Sequence, residues 1–175
     1  MKAAFKILAL FFPLFLSSFS WARNAPMVCN IKAYDGHYLT AVGGGGRTTD
    51  VIHTNVTSPG NYEKFTFEDP NEGSAIYGIK TYKGYYLTIV GGGGRTTDVI
   101  HSDATNFLAW EKIRTIALGN GWYALQTIND HYLTAVDSGG RTTDVIHSDA
   151  TRIGTWEMFR IINCKLAPIV TGDQD

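Results

Sequence analysis

The sequence predicts an all-β chain, a β-trefoil of twelve strands in three pseudo-symmetric lobes. Three observations carry that expectation. The stretch GGGGRTTDVIH fills 43–53 and 91–101, and returns as DSGGRTTDVIH at 137–147. The repeat around it extends over most of the chain, with offsets of 48 and 46 residues between units. No segment holds a sustained 3.6-residue apolar period, so helix content should be low.

The units align on Tyr38-Leu39-Thr40, Tyr86-Leu87-Thr88 and Tyr132-Leu133-Thr134. Each then carries an arginine (Arg47, Arg95, Arg141), an aspartate (Asp50, Asp98, Asp144) and a histidine (His53, His101, His147) in fixed register. An aromatic-glutamate pair follows: Tyr62-Glu63, Trp110-Glu111 and Trp156-Glu157. Self-similarity at this period marks a repeat architecture.

Within each unit the texture is that of strands. VCNIKAY, AIYGIKTY and GWYALQTI are rich in β-branched and aromatic residues. They run through DG, KG or ND turns into HYLTAV, YYLTIV and HYLTAV. The glycine-rich stretch breaks the strand, DVIH resumes one, and EKFTFE, EKIRTIA or EMFRII closes the unit. Four strands in each of three units match a six-stranded barrel capped by three hairpins. Propellers typically need at least four blades, so three repeats argue against one. Leu39, Leu87 and Leu133, then Val51, Val99 and Val145, then Phe65, Ile113 and Phe159 are the expected core layers.

The ends set the compartment. Lys2 and Lys6 precede an apolar run from Ile7 to Leu16, and Ser20-Trp21-Ala22 offers small residues at −3 and −1 of a cleavage site. The run is shorter than the roughly 20 residues a spanning helix needs. Residues 1–22 therefore read as a secretory signal and 23–175 as one domain. Its lobes fall at about 28–73, 74–119 and 120–165, with a short tail at 166–175. The expected location is extracellular or periplasmic, with no membrane insertion after cleavage. Cys29 and Cys164, the only two cysteines, read as a disulfide in an exported chain. Closure of a barrel would put them on neighbouring strands. With Lys2 and Lys6 removed from the 15 basic residues, the 16 acidic ones leave a formal charge of about −3. Such a surface, without a basic run, is a poor nucleic-acid binder, since phosphate neutralisation supplies most of that affinity, and no nucleic-acid partner is expected.

The motifs GHYLTAV…GG-RTTDVIH…YEKF, GYYLTIV…WEKI and DHYLTAV…WEMF resemble the fascin-like β-trefoil family, the actin-cross-linking-like superfamily. The resemblance covers nearly all of 28–163 and recurs three times. It implies the trefoil fold, and it implies binding to actin or another protein filament as one function. The chain differs from the classical bundlers in having one trefoil behind a leader. It also lacks the Gln-x-Trp of ricin-type trefoil lectins.

Two readings of the repeated loop compete. In the structural one, glycines supply positive φ, the threonines cap the turn through their side chains, and arginine pairs with aspartate or reaches Glu63, Glu111 or Glu157. In the functional one, three polar clusters bind a polyhydroxylated ligand. Aspartate accepts from hydroxyls, arginine donates in a fixed fork, and His37, Tyr85 and His131 add rings in front of the Tyr-Leu-Thr. Other loops have drifted between lobes while Arg-Thr-Thr-Asp-Val-Ile-His has not, which favours binding. The expected protein is thus a multivalent, lectin-like carbohydrate binder with one site per lobe, directed at glycans or an extracellular polymer. No catalytic nucleophile elbow occurs, so no enzyme is expected, and no cofactor. A zinc site of His53, His101 and His147 requires inward rings and has no local motif behind it, so no metal is expected either.

Overall fold

In a computed structural model, residues 25–70 and 74–168 are described; the expected leader at 1–22 lies outside them. Twelve strands follow in order. They are β1 (Met27–Lys32), β2 (Tyr38–Ala41), β3 (Ile52–Val56), β4 (Lys64–Glu68), β5 (Ile76–Lys80), β6 (Tyr86–Ile89), β7 (Ile100–Ala104), β8 (Lys112–Gly119), β9 (Trp122–Gln126), β10 (Tyr132–Ala135), β11 (Ile146–Ala150) and β12 (Arg160–Leu166). The helical turns among them are short 3-10 pieces, such as Val42–Gly44 and Thr155–Glu157. Among the described residues no helix is long and apolar enough to cross a membrane.

Six strands form the barrel. β12 pairs with β1, β1 with β4, β4 with β5, β5 with β8, and β8 with β9, all antiparallel. The ring closes from β9 back to the start of β12, where Tyr123 and Phe159 exchange two backbone hydrogen bonds of 2.8 Å. The other six strands make three hairpins, β2–β3, β6–β7 and β10–β11, each with the same register irregularity after its tyrosine. Thr40 faces His53, Thr88 faces His101 and Thr134 faces His147.

The core repeats three times as well. Leu39, Leu87 and Leu133, then Val51, Val99 and Val145, are buried, and Phe65, Ile113 and Phe159 are fully enclosed. Ile31, Ile79 and Leu125 fill the equivalent barrel positions, also without exposure. Two isoleucines in the first lobes and a leucine in the third conserve volume, the kind of exchange a packed core tolerates. Cys29 on β1 and Cys164 on β12 are disulfide-bonded across the seam that joins the first lobe to the last. They occupy neighbouring strands, as barrel closure requires.

Candidate functional site

The repeated block connects the two strands of each hairpin. At its base Val42, Val90 and Val136 donate to the carbonyls of Val51, Val99 and Val145 at 3.0 Å. The aspartates Asp50, Asp98 and Asp144 all sit at φ near +50°. That left-handed conformation admits Asp, Asn or Gly far more readily than other residues. The backbone thus supplies one reason for aspartate before any ligand is considered.

Its side chain is engaged on both oxygens. Asp50 meets His53 Nε2 at 2.6 Å and Arg47 Nη2 at 3.3 Å. Asp98 meets His101 at 2.7 Å and Arg95 at 3.3 Å. Asp144 meets His147 at 2.7 Å, with Arg141 at 3.6 Å. Arg141 also pairs with Asp137, which stands where the other lobes have Gly43 and Gly91. The carboxyl of Asp144 is held below its usual range, first by the hydrogen bond from His147 and also by the charges of His147 and Arg141, against a smaller opposing effect of desolvation. Arginine therefore pairs across the turn. It does not reach the glutamate of the closing strand.

Those glutamates have another task. Glu63, Glu111 and Glu157 are buried. Each accepts from the threonine of its own Tyr-Leu-Thr, at 2.7, 2.6 and 2.7 Å. Each also accepts a backbone amide three residues upstream, from Gly60, Leu108 or Gly154. The aromatic-glutamate motif is thus an internal brace, while Tyr62, Trp110 and Trp156 remain exposed.

The loops also reach across lobes. Gly46 donates to Ser102 O and Ser102 donates back to Arg47 O; Gly94 and Ser148 do the same with Arg95. Gly140 donates to Thr54 O, and Thr54 donates to Arg141 O. Loop one therefore clasps lobe two, loop two clasps lobe three, and loop three clasps lobe one. The residue after each histidine (Thr54, Ser102 or Ser148) is fully buried in this clasp. Sequence reasoning missed this role, although its signal was present: the position carries only a small hydroxyl residue in all three units.

The rings expected near the loops arrive by the same route. A Cβ added at Gly46 would lie 3.3 Å from the Tyr85 ring, at Gly94 3.6 Å from His131, and at Gly140 3.6 Å from His37. Each ring thus stands beside the loop of the preceding lobe, at the glycine before its arginine. His37 is further held by Asp35 at 2.6 Å. The histidines of the block do not assemble on the axis. Each is bonded to the aspartate of its own loop, and no group of three metal-ligating side chains occurs among the described residues.

One expectation is corrected. The threonines do not cap the turn with their side chains. Their second backbone carbonyl (Thr49, Thr97 or Thr143) instead accepts from the arginine Nε at 3.1–3.2 Å. No protein hydrogen bond to the hydroxyls of Thr48, Thr49, Thr96, Thr97, Thr142 or Thr143 is found among the described residues. The guanidinium has taken over the capping work. These threonines, with the three aspartates and the valine and isoleucine behind them, line one shared depression of about 570 Å³.

No protein-family model matches the chain, and none of the curated proteins matches it in sequence. Solved structures do match. A designed 3-fold symmetric protein, ThreeFoil, superposes with a TM-score of 0.67 at 14% identity, over 78% of this chain and 98% of that one. The Rhizoctonia solani agglutinin gives 0.63 at 13%, over 79% and 94%. SeviL bound to asialo-GM1 saccharide gives 0.55 at 12%, over 79% and 97%. At these identities the likeness is one of fold: the chain is an all-β protein with a nearly closed, three-lobed β-trefoil barrel.

Proposed function

We propose that this protein is a non-enzymatic, lectin-like binder of carbohydrate that acts outside the cell, with one site at each lobe junction. The observation that carries the reading is the exposed arginine-aspartate pair in every loop, set beside a ring lent by the next lobe. Tyr85 stands beside Gly46, His131 beside Gly94 and His37 beside Gly140, the residues that precede Arg47, Arg95 and Arg141 in the chain. Half-exposed aspartates keep lone pairs for vicinal hydroxyls, and a ring offers a flat apolar face to a sugar. An agglutinin and a saccharide-bound protein share the fold, which supports the same reading. Three weak sites on one rigid body gain by avidity on a polymeric target.

The test is a glycan array with the disulfide-intact protein and its Asp50→Asn, Asp98→Asn and Asp144→Asn variants, singly and together. Asparagine tolerates the left-handed backbone, so folding is preserved while the charge is removed. Binding should fall stepwise with each substitution. A blank array would sink the carbohydrate reading. It would send the protein to actin co-sedimentation, because filament binding is what the fascin-like motifs imply.

A further inference from the structure

Most of the repeated block has a structural occupation. Arginine bridges its own turn, aspartate takes the left-handed position, valine and isoleucine enter the core, and histidine holds the aspartate. The two threonines are the exception. Identical in all three lobes, they are exposed, and their hydroxyls make no bond within the described protein. Turn chemistry alone would accept Ser, Asn or Asp at such positions. The three Thr-Thr pairs nevertheless converge on a single depression.

We infer that this depression is one further binding site, centred away from the lobe-junction rings although it shares their three aspartates, and that it takes a single polyhydroxylated six-membered ring such as a terminal hexopyranose. The inference rests on the carbohydrate reading above and adds to it a position and a stoichiometry. Its volume of about 570 Å³ exceeds what one ion needs and lies within the usual range of small-molecule pockets. The residues behind it, Val51, Val99 and Val145 with the isoleucines that follow, are aliphatic and buried. They suit the C–H face of a sugar ring. Around them stand six hydroxyls, each able both to donate and to accept. The aspartates Asp50, Asp98 and Asp144 add acceptors at the same rim. A ring whose hydroxyls radiate outward can meet groups from all three loops at once. A linear or flat aromatic ligand cannot use that arrangement.

The experiment is a methyl-resolved NMR titration of the full chain with galactose, glucose, mannose, N-acetylglucosamine and myo-inositol. At least one of these should shift the Val51, Val99 and Val145 methyls together and saturate at one ligand per chain. The triple variant Thr48→Ala/Thr96→Ala/Thr142→Ala should weaken that binding at least tenfold with its unfolding midpoint unchanged. Shifts confined to the surroundings of Tyr85, His131 and His37, at three ligands per chain, would overturn the axial site and leave the lobe-junction lectin standing. Silence from all five probes would also overturn the axial site, and the wider carbohydrate reading would then rest on the glycan array alone. Axial binding indifferent to the threonines would overturn their assigned role.

Discussion

The amide of Ser102 donates to the carbonyl of Arg47 at 2.8 Å, joining residues 55 positions apart. The Ser102 hydroxyl sits against the same residue, 3.3 Å from both Arg47 N and Arg47 O, and is fully buried. Ser102→Ala should therefore cost about 1 kcal/mol, the net worth of an ordinary buried hydrogen bond. Ser148→Ala, in the same clasp on Arg95, should cost a similar amount. Urea unfolding of the two variants measures both.

Two glycines separate backbone strain from lack of space. Gly43 has φ +65° and no heavy atom within 4 Å of an added Cβ, whereas at Gly45, φ +102°, that Cβ would lie 2.2 Å from Thr81 Oγ1. Gly43→Ala should cost about 1 kcal/mol, the strain of a left-handed alanine. Gly45→Ala should cost about 3 kcal/mol, because overpacking against a fully enclosed neighbour adds to the strain. Equal losses at the two sites would show that space is not the constraint.

Removing the glutamate brace should be severe. Glu111→Ala leaves the Thr88 hydroxyl and the Leu108 amide without the carboxylate that accepts from both. Two charge-assisted bonds and a buried unpaired hydroxyl together suggest a loss of about 3 kcal/mol. Denaturant midpoints compared with Trp110→Ala, an exposed neighbour, would show whether the glutamate or the aromatic carries the motif.

The third loop should respond to acid. Asp144 is held below its ordinary value in the folded chain, so its contribution is complete above the unfolded value of about 3.9 and is lost as pH falls through the lower folded value. The difference in stability between the wild type and Asp144→Asn should therefore shrink as the pH falls below about 4. A carboxyl-detected NMR titration of Asp144 gives the folded value directly. A titration midpoint at or above the unfolded value would contradict the hydrogen bond from His147.

Reduction of the Cys29–Cys164 bond opens the seam between β1 and β12. The bridge closes a loop with a sequence separation of 135, so its loss should lower stability on the order of 4–5 kcal/mol by the chain-entropy estimate. Unfolding with and without reductant, compared with Cys29→Ala/Cys164→Ala, measures it.

The fold was legible because its signals are local and repeated three times. Strand alternation around Tyr-Leu-Thr, turn pairs such as Asp35-Gly36, and the period itself all point to one architecture, and the triplets Leu39/Leu87/Leu133 and Phe65/Ile113/Phe159 enter the core as expected. The site was only half legible. Pairing of Arg47 with Asp50 follows from their spacing, but the partner of Gly46 is Ser102, and nothing in a linear reading joins residues of different lobes. Glu63 looked available to arginine because the sequence does not show that Thr40 reaches it first. The threonine hydroxyls misled for the opposite reason: they are common turn caps, and here an arginine side chain occupies that role.

Each loop fastens the lobe ahead of it, and the amide of Ala167 donates to Pro26 O at 2.8 Å, so the described ends of the chain lie side by side. The order in which the lobes are threaded is therefore immaterial to the ring they form. A circular permutant with Pro26 and Ala167 linked, and with new ends cut in the turn at Gly119-Asn120-Gly121, would retain every interlobe clasp. The molecule is a closed circuit that happens to be written as a line.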